Sequence, residues 1–408
     1  MIHRVWHPPR RVNHRRDAGA TDGCSSRLHL ELSGGRFEPM AGPVSIHQLL
    51  GAMKTTGASD LHLKAGLPPT YRVGGHLRAV KMPPMTGEEI DACLTPIIPP
   101  TRRSYYDEHG DLDFSCDLPD GDRFRVNIFR AGTKMNAAIR RVNSVIPSYE
   151  QLHLPPIYGQ LIDRSNDGII IVAGVTGSGK STTLAAMIEH INSTRSENIV
   201  TIEDPVEFVF KPKKSIISQR EIGIDISNYG EGLKYIVRQD PDTIFIGEMR
   251  DKFTMTAALQ AAETGHLVFG SLHSADAMQA FSRILEFFPR AEHEFVRGAL
   301  ANALRGICVQ RLLPGTTEGA LVPATEVLLN TSTCKDIIRK EQDQDIPALI
   351  AGSEKEGMHS FTSSLARLVQ SELVYMDVAM QYAPNPDALA STLRGIKTTA
   401  STMISRTR

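Results

Sequence analysis

The sequence predicts an α/β protein in two parts. A small α+β domain with an antiparallel sheet comes first, and a larger domain with a mostly parallel sheet and a helical C-terminal subdomain follows. Three observations support this. Short alternating runs separated by hairpin signals fill residues 43–146. Apolar strand-like runs near Ile169, Ile199, Thr243 and Leu267 then alternate with helical stretches. Between one of those strands and the helix after it lies Gly174-Val175-Thr176-Gly177-Ser178-Gly179-Lys180-Ser181.

In order along the chain, residues 1–42 read as a disordered extension, rich first in Arg, His and Pro and then in Gly and Ser. Its functional alternative is a basic arm that meets an acidic partner. Met40 precedes the first periodic segment and is a plausible initiator. In the first domain, Ser45–Thr55 has amphipathic helical spacing and Glu88–Leu94 is helical. Residues 60–63, 70–73 and 78–80 alternate like strands around a Gly74-Gly75 turn, and 112–116, 123–129 and 137–142 are further strands, with Asp120-Gly121 as another turn signal. Pro147, Pro155 and Pro156 mark a linker at 147–156. The second domain occupies 157–395, with Thr331–Arg394 almost wholly helical, and 396–408 is a Thr- and Ser-rich tail read as disordered.

The glycine-rich segment matches G-x-x-x-x-G-K-[ST], the phosphate-binding P-loop, in its required context. Gly168–Ala173 is an apolar strand before it and Thr182–Ile191 a helix after it. Glycines allow successive backbone N–H groups to turn toward phosphate oxygens, and the helix N-terminus adds its positive dipole end. Lys180 is placed for the β- and γ-phosphates and the Ser181 hydroxyl for Mg²⁺. Gly174 to Thr182 are therefore the candidate nucleotide-binding residues, with ATP and Mg²⁺ as the expected cofactors. A P-loop within repeated strand–helix units predicts a RecA-like ATPase core.

Hydrolysis also requires carboxylates that orient water and help hold the metal. Thr201-Ile202-Glu203-Asp204-Pro205-Val206-Glu207 places three of them at the end of a strand, where ligands bind in parallel α/β sheets. Glu207 is the expected catalytic group, against the bland reading of a solvated acidic turn. Thr243–Glu248 is an apolar strand ending in Gly-Glu, as a Walker B strand does, with Gly247 in place of the usual acid. Glu248 either holds Mg²⁺ through water or acts on the nucleophile, and a helix-capping role near Asp251 is compatible with both. His266 and His273 flank the run 267–272, and their spacing on a strand is poor for shared metal ligation. By spacing alone, sensing of the γ-phosphate and simple packing are equally good readings. Arg123, Arg125 and Arg140 lie on strands of the first domain, where ordinary surface pairing is the default reading.

Bulk properties exclude several classes. Forty-one per cent of the 408 residues are apolar, enough for a substantial core, and the formal net charge is −1. That balance, with a single Trp, shows no footprint for nucleic acid and disfavours a DNA-handling motor. No apolar run approaches the roughly 18 residues of a membrane span, so no direct membrane insertion is expected. The five cysteines are far apart, which favours a reducing compartment and argues against a paired-cysteine zinc module. Intact Lys180, Ser181, Glu207 and Glu248 oppose a scaffold with a dead site.

Taken together the ordered blocks resemble the secretion ATPase family, in its type IV pilus retraction branch. The resemblance runs from about residue 45 to 385. In the first domain it rests on 57–63, Gly66-Leu67-Pro68-Pro69 and Arg123-Phe124-Arg125-Val126-Asn127. In the core it rests on the P-loop, the Asp-box at 201–207, Arg238-Gln239-Asp240-Pro241-Asp242, Gly247-Glu248-Met249-Arg250-Asp251, and the His-box from Glu263 through His273.

This resemblance implies a PAS-like first domain, a RecA-like core and a homohexameric ring. It places ATP between the two domains with Arg123, Arg125 and Arg140 reaching it, and it makes Glu207, Glu248, His266 and His273 catalytic alongside Lys180. The implied function is ATP hydrolysis that powers pilus retraction and twitching motility, with the 147–156 linker as a hinge. The implied partners are an inner-membrane platform protein and a paralogous ATPase, at a cytoplasmic location peripheral to that membrane. Alternatives within the family are an accessory retraction ATPase and an assembly or type II secretion ATPase, the latter disfavoured by the missing four-cysteine module. Val175 stands where the family P-loop usually has proline and Phe210 where histidine is common. The first 39 residues have no counterpart, which supports a start at Met40.

Replacing Lys180 by Ala removes the main cation from the phosphate site. Phosphate release from ATP is expected to fall by about 100-fold or more, and undiminished hydrolysis would refute the site assignment.

Overall fold

The structure, a computed structural model, describes residues 44–118, 122–142, 145–317 and 319–395. The expected tails at 1–42 and 396–408, the Met40 start and the Asp120-Gly121 turn lie outside the described residues. The chain divides into two compact units, one of residues up to Pro100 with Phe129–Ala138, the other of Thr101–Ile128 with Ile139 onward. This division differs from the 43–146 and 157–395 boundaries read from sequence. Residues 101–128 group with the core, and Ser115 and Arg123 of that segment bond to Glu221.

In the first unit, α1 (Ile46–Thr56) begins at a capping box of Ser45 with Gln48 and ends at left-handed Gly57. It buries Ile46, Leu49, Leu50 and Met53, the stripe that 3.6-residue spacing lays on one face. Strands β1 (Asp60–Leu63), β2 (Thr70–Val73) and β3 (His76–Ala79) pair antiparallel in sequence order. Gly74 and Gly75 take φ of 56° and 81°, so two consecutive positive-φ residues close the β2–β3 hairpin. Helix α2 (Gly87–Leu94) carries a second capping box, Thr86 with Glu89. Beyond it come α3 (Pro100–His109) and β4 (Asp111–Asp117), then β5 (Arg123–Ala131) and β6 (Lys134–Val142), which run through both units.

The second unit continues with α4 (Ile157–Asp163), β7 (Gly168–Ala173), α5 (Lys180–Thr194), β8 (Asn198–Glu203), β9 (Ile216–Glu221), α6 (Tyr229–Ile236), β10 (Thr243–Ile246), α7 (Lys252–Glu263) and β11 (Leu267–Leu272). After these come α8 (Ala277–Glu286), α9 (His293–Ala303), β12 (Leu304–Pro314) and β13 (Leu321–Leu329). The helical stretch expected from Thr331 contains α10 (Ser332–Arg339), α11 (Ile346–Gly352), α12 (Phe361–Gln370), α13 (Met376–Tyr382) and α14 (Pro386–Leu393). A seven-stranded sheet runs in the order β13-β12-β7-β11-β10-β8-β9. Its neighbours pair in parallel except β12 with β13.

Strand β7 shows why this sheet forms. All six of its residues are buried, and four in the middle are Ile or Val, which suit a strand covered on both faces. Side chains alternate across a strand. Ile169 and Ile171 therefore join one apolar cluster with α7 and α8, while Ile170 and Val172 join another with Leu184, Met187 and Ile188 of α5. The result is a sheet with helices on both faces. Strands β9, β12 and β13 were not individually anticipated. In β9 the sequence Ser218-Gln219-Arg220-Glu221 hides an edge strand behind polar residues.

Where β7 ends, the backbone of β12 passes close to the P-loop. A Cβ on Gly174 would lie 2.5 Å from the Gln310 carbonyl and 2.3 Å from Ser178 Oγ. Gly174→Ala is expected to destabilise the fold by about 1–3 kcal/mol, read as a lowered midpoint in denaturant unfolding. An unchanged midpoint would mean that the β12 backbone yields freely.

Candidate active site

The site is assembled by strand register. In the parallel pairings Ala173 of β7 lies level with Leu272 of β11, Gly270 with Ile246 of β10, and Ile246 with Ile202 of β8. The residues just past these positions therefore emerge together at one edge of the sheet: the P-loop, His273, Glu248, and the acidic segment from Glu203 to Glu207. From β7 to β8 is three strand spacings, about 14 Å, a span suited to a nucleoside triphosphate. A cavity of ≈ 410 Å³ occupies this edge, lined by Thr176–Thr182, Glu203, Asp204, Glu207, Tyr229, Glu248 and His273 among others.

The P-loop segment lies between β7 and α5. Gly177 and Gly179 take φ of 77° and 85°, and Gly179 is the residue from which α5 begins. Ser178 is buried, and the Gln310 side chain of β12 donates to its carbonyl at 2.6 Å, fastening the loop from below. Val175, where the family usually has proline, is exposed. Lys180 Nζ donates to the Gly174 and Val175 carbonyls at 2.9 and 3.1 Å. Burial lowers its pKa, and the carboxylates of Glu248 and Glu207 act in the opposite direction. Lys180 thus feels the charge of both Glu248 and Glu207 across a single cavity. A triphosphate entering there would meet a cation already partly stripped of water.

Three glutamates at the site have different surroundings. Glu207 is exposed toward the cavity, and Glu248 lies with its Oε1 3.5 Å from His273 Nε2. Glu203, by contrast, is buried at the end of β8. It accepts from Thr201 Oγ1 at 2.7 Å and from Gln219 Nε2 at 3.1 Å. Burial is the dominant influence and pushes its carboxyl up to about 7; the hydrogen bonds pull the other way. Sequence reading placed Glu203 in the acidic cluster but could not separate it from its neighbours, because only packing decides which carboxylate loses water. Gln219 was missed altogether, since a lone glutamine carries no spacing signal.

Other expected residues sit elsewhere. His266 precedes β11 and His273 follows it, so six strand residues, on the order of 20 Å, separate them. The structure leaves His266 at the opposite edge of the sheet from the P-loop, its Nδ1 donating to the Ala261 carbonyl at 2.9 Å. Arg123 is held by Glu221 at 3.1 Å, a pair with the carboxylate buried. Arg125 is exposed and lines a smaller neighbouring cavity with Asp204 and Glu221. Arg140 is exposed on β6. None of these three arginines lines the P-loop cavity within this chain. Among the described residues no cluster of His, Cys, Asp and Glu forms a metal-binding group. Ser181 and Glu248 offer hard oxygen donors at the cavity, the type Mg²⁺ takes when it is bound chiefly through phosphate and water.

Fold and cavity together define a P-loop ATPase core of the RecA-like class. The chain belongs to the type II/IV secretion system protein family, whose profile matches residues 110–353. It is 37% identical over 344 residues to the type IV pilus retraction ATPase PilT of Pseudomonas aeruginosa, covering 84% of this chain and 99% of that one. It is 35% identical over 347 residues to the type IV pilus ATPase PilU of the same organism, covering 85% and 90% respectively. A crystal structure of the pilus retraction motor PilT with bound ADP superposes with a TM-score of 0.79 at 39% identity, covering 85% of this chain and 99% of that one.

The raised Glu203 pKa carries a stability consequence. Below its ordinary value of 4.5 both folded and unfolded states hold the proton, and stability is unaffected. Between 4.5 and about 7 only the folded state keeps it, so stability falls as pH rises, and the loss is complete above 7. Glu203→Gln removes this titration. Its melting temperature relative to the parent chain is expected to rise from about pH 5 and to level off above about pH 7. A difference constant across that range would show that Glu203 titrates normally.

Proposed function

We propose that this chain is a ring-forming ATPase that drives retraction of a type IV pilus. The observation that carries the reading is the convergence of Lys180, Glu207 and Glu248 on one cavity, in a chain that matches a retraction ATPase along nearly that protein's whole length. In this reading the backbone N–H groups of Gly177–Lys180 bind the β-phosphate. Lys180 leaves the Gly174 and Val175 carbonyls for the γ-phosphate, exchanging two neutral acceptors for an anion. Glu207 and Glu248 orient the attacking water, and His273 holds Glu248 in place. Mg²⁺ would be held by Ser181 and, through water, by Glu248, and would supply positive charge beside the β- and γ-phosphate oxygens.

Six copies form the ring, and a cation from a neighbouring copy completes the phosphate site, since no arginine among the described residues lines the cavity. Arg125 and Arg140, both exposed, are the candidates for that task. The 147–156 linker is the hinge that absorbs backbone change between nucleotide states. The ring works in the cytoplasm against an inner-membrane platform protein of the pilus machine, alongside a paralogous ATPase. No helix among the described residues is long and apolar enough to cross a membrane. A second reading, an accessory retraction ATPase, is favoured by the similarity to PilU.

The test is to delete the gene and film labelled pili. Pilus shortening is expected to stop, to return on complementation with the parent chain, and to stay absent with Lys180→Ala. Shortening that persists at full rate without the gene overturns the primary-motor reading, and persistence with reduced force supports the accessory one.

A further inference from the structure

We propose that Gln219 and Glu221, alternate residues on β9, are positioning residues for hydrolysis. They hold the segment that carries Glu207. The inference rests on Glu207 as the water-orienting carboxylate.

The segment 204–210 leaves β8 and crosses the mouth of the cavity. Its polar backbone is secured to a large extent by side chains. Gln219 Nε2 donates to the Phe208 carbonyl at 2.8 Å and to Glu203 Oε1 at 3.1 Å, while Gln219 Oε1 accepts from the Phe210 N–H at 2.9 Å. Both amide hydrogens and the amide oxygen are therefore engaged. Two residues along, Glu221 accepts from the Val206 N–H at 3.4 Å. The Glu203 carboxyl, just before the segment, is itself held by Gln219. Residues two apart on a strand share a face, so one face of an edge strand grips the segment on both sides of Glu207. Phe208 and Phe210 are buried beneath, and Glu207 is left exposed toward the cavity.

The far side of Glu221 is tied as well. Its carboxylate accepts from Arg123 Nη2 at 3.1 Å and from Ser115 Oγ at 3.1 and 3.2 Å. Arg123 thereby acts on the acidic segment through Glu221. The P-loop depends on different supports: β7, α5 and Gln310. Loosening the β9 grip should displace Glu207 while leaving phosphate binding intact. That separation distinguishes positioning from general structural support.

The experiment uses the full chain, with ATP hydrolysis kinetics and the affinity of a fluorescent ADP measured side by side. Gln219→Met keeps length and volume and removes all three hydrogen bonds. It is expected to lower kcat about 10- to 100-fold, with KM and ADP affinity within about threefold of the parent. Gln219→Asn keeps the amide but is one methylene too short, and it is expected to shift kcat in the same direction. It serves as the reading if the Met variant does not fold. Glu207→Gln is the reference. If it is inactive while both Gln219 variants keep kcat within twofold, the positioning role fails and the role of Glu207 stands. If Glu207→Gln is fully active, the role of Glu207 fails first. If kcat and ADP affinity fall together in the Gln219 variants, the grip is merely structural and the proposal is overturned.

Discussion

The parallel register of β7, β11, β10 and β8 is the constraint on which the rest of this molecule depends. Parallel strands in register end at one edge, so four segments far apart in sequence deliver their chemistry to one line. A slip of one residue in any pairing would turn a carboxylate or the P-loop into the opposite face, because side chains alternate with a period of two. The register is held by burial: β7, β10 and β11 have every residue buried, and their Ile, Val, Leu and Phe side chains fill clusters on both faces of the sheet. Hydrophobic packing thus sets the geometry of a site whose working parts are almost entirely polar.

Electrostatics at that edge then follows from unequal burial. Lys180 is partly desolvated and is held by loop carbonyls, with two carboxylates acting from across the cavity. Glu203 is almost fully withdrawn from water and keeps its proton to about pH 7. Glu207, four residues on, faces the open cavity. Chemically identical side chains separated by one short turn therefore take different tasks, the buried one bonding to Thr201 and Gln219 and the exposed one available to water. Glu221 adds a third carboxylate, neutralised by Arg123 and tied to the same turn.

Much of this was legible in the sequence. The P-loop announced itself because its glycines, lysine and serine must occur at fixed spacing for backbone N–H groups to encircle phosphate. Glu207 and Glu248 were legible because each follows an apolar run that reads as a strand. What spacing could not reveal was which end of the sheet a residue occupies. His266 and His273 look equivalent on either side of β11, yet only the one after the strand reaches the cavity. Arg123 read by default as an ordinary surface pair, but nothing in the spacing named its partner Glu221, 98 residues further along.

The sequence by itself determined the class of chemistry, the identity of the phosphate-binding loop, and the alternation of strand and helix that makes a parallel sheet. Those properties are local, written in propensities, periodicity and motif spacing within a few residues. Only the tertiary structure decided which carboxylate is buried and holds a proton, which histidine faces the site, and what supports the segment bearing Glu207. These depend on desolvation and on hydrogen bonds between distant strands, quantities that exist only once the chain has packed.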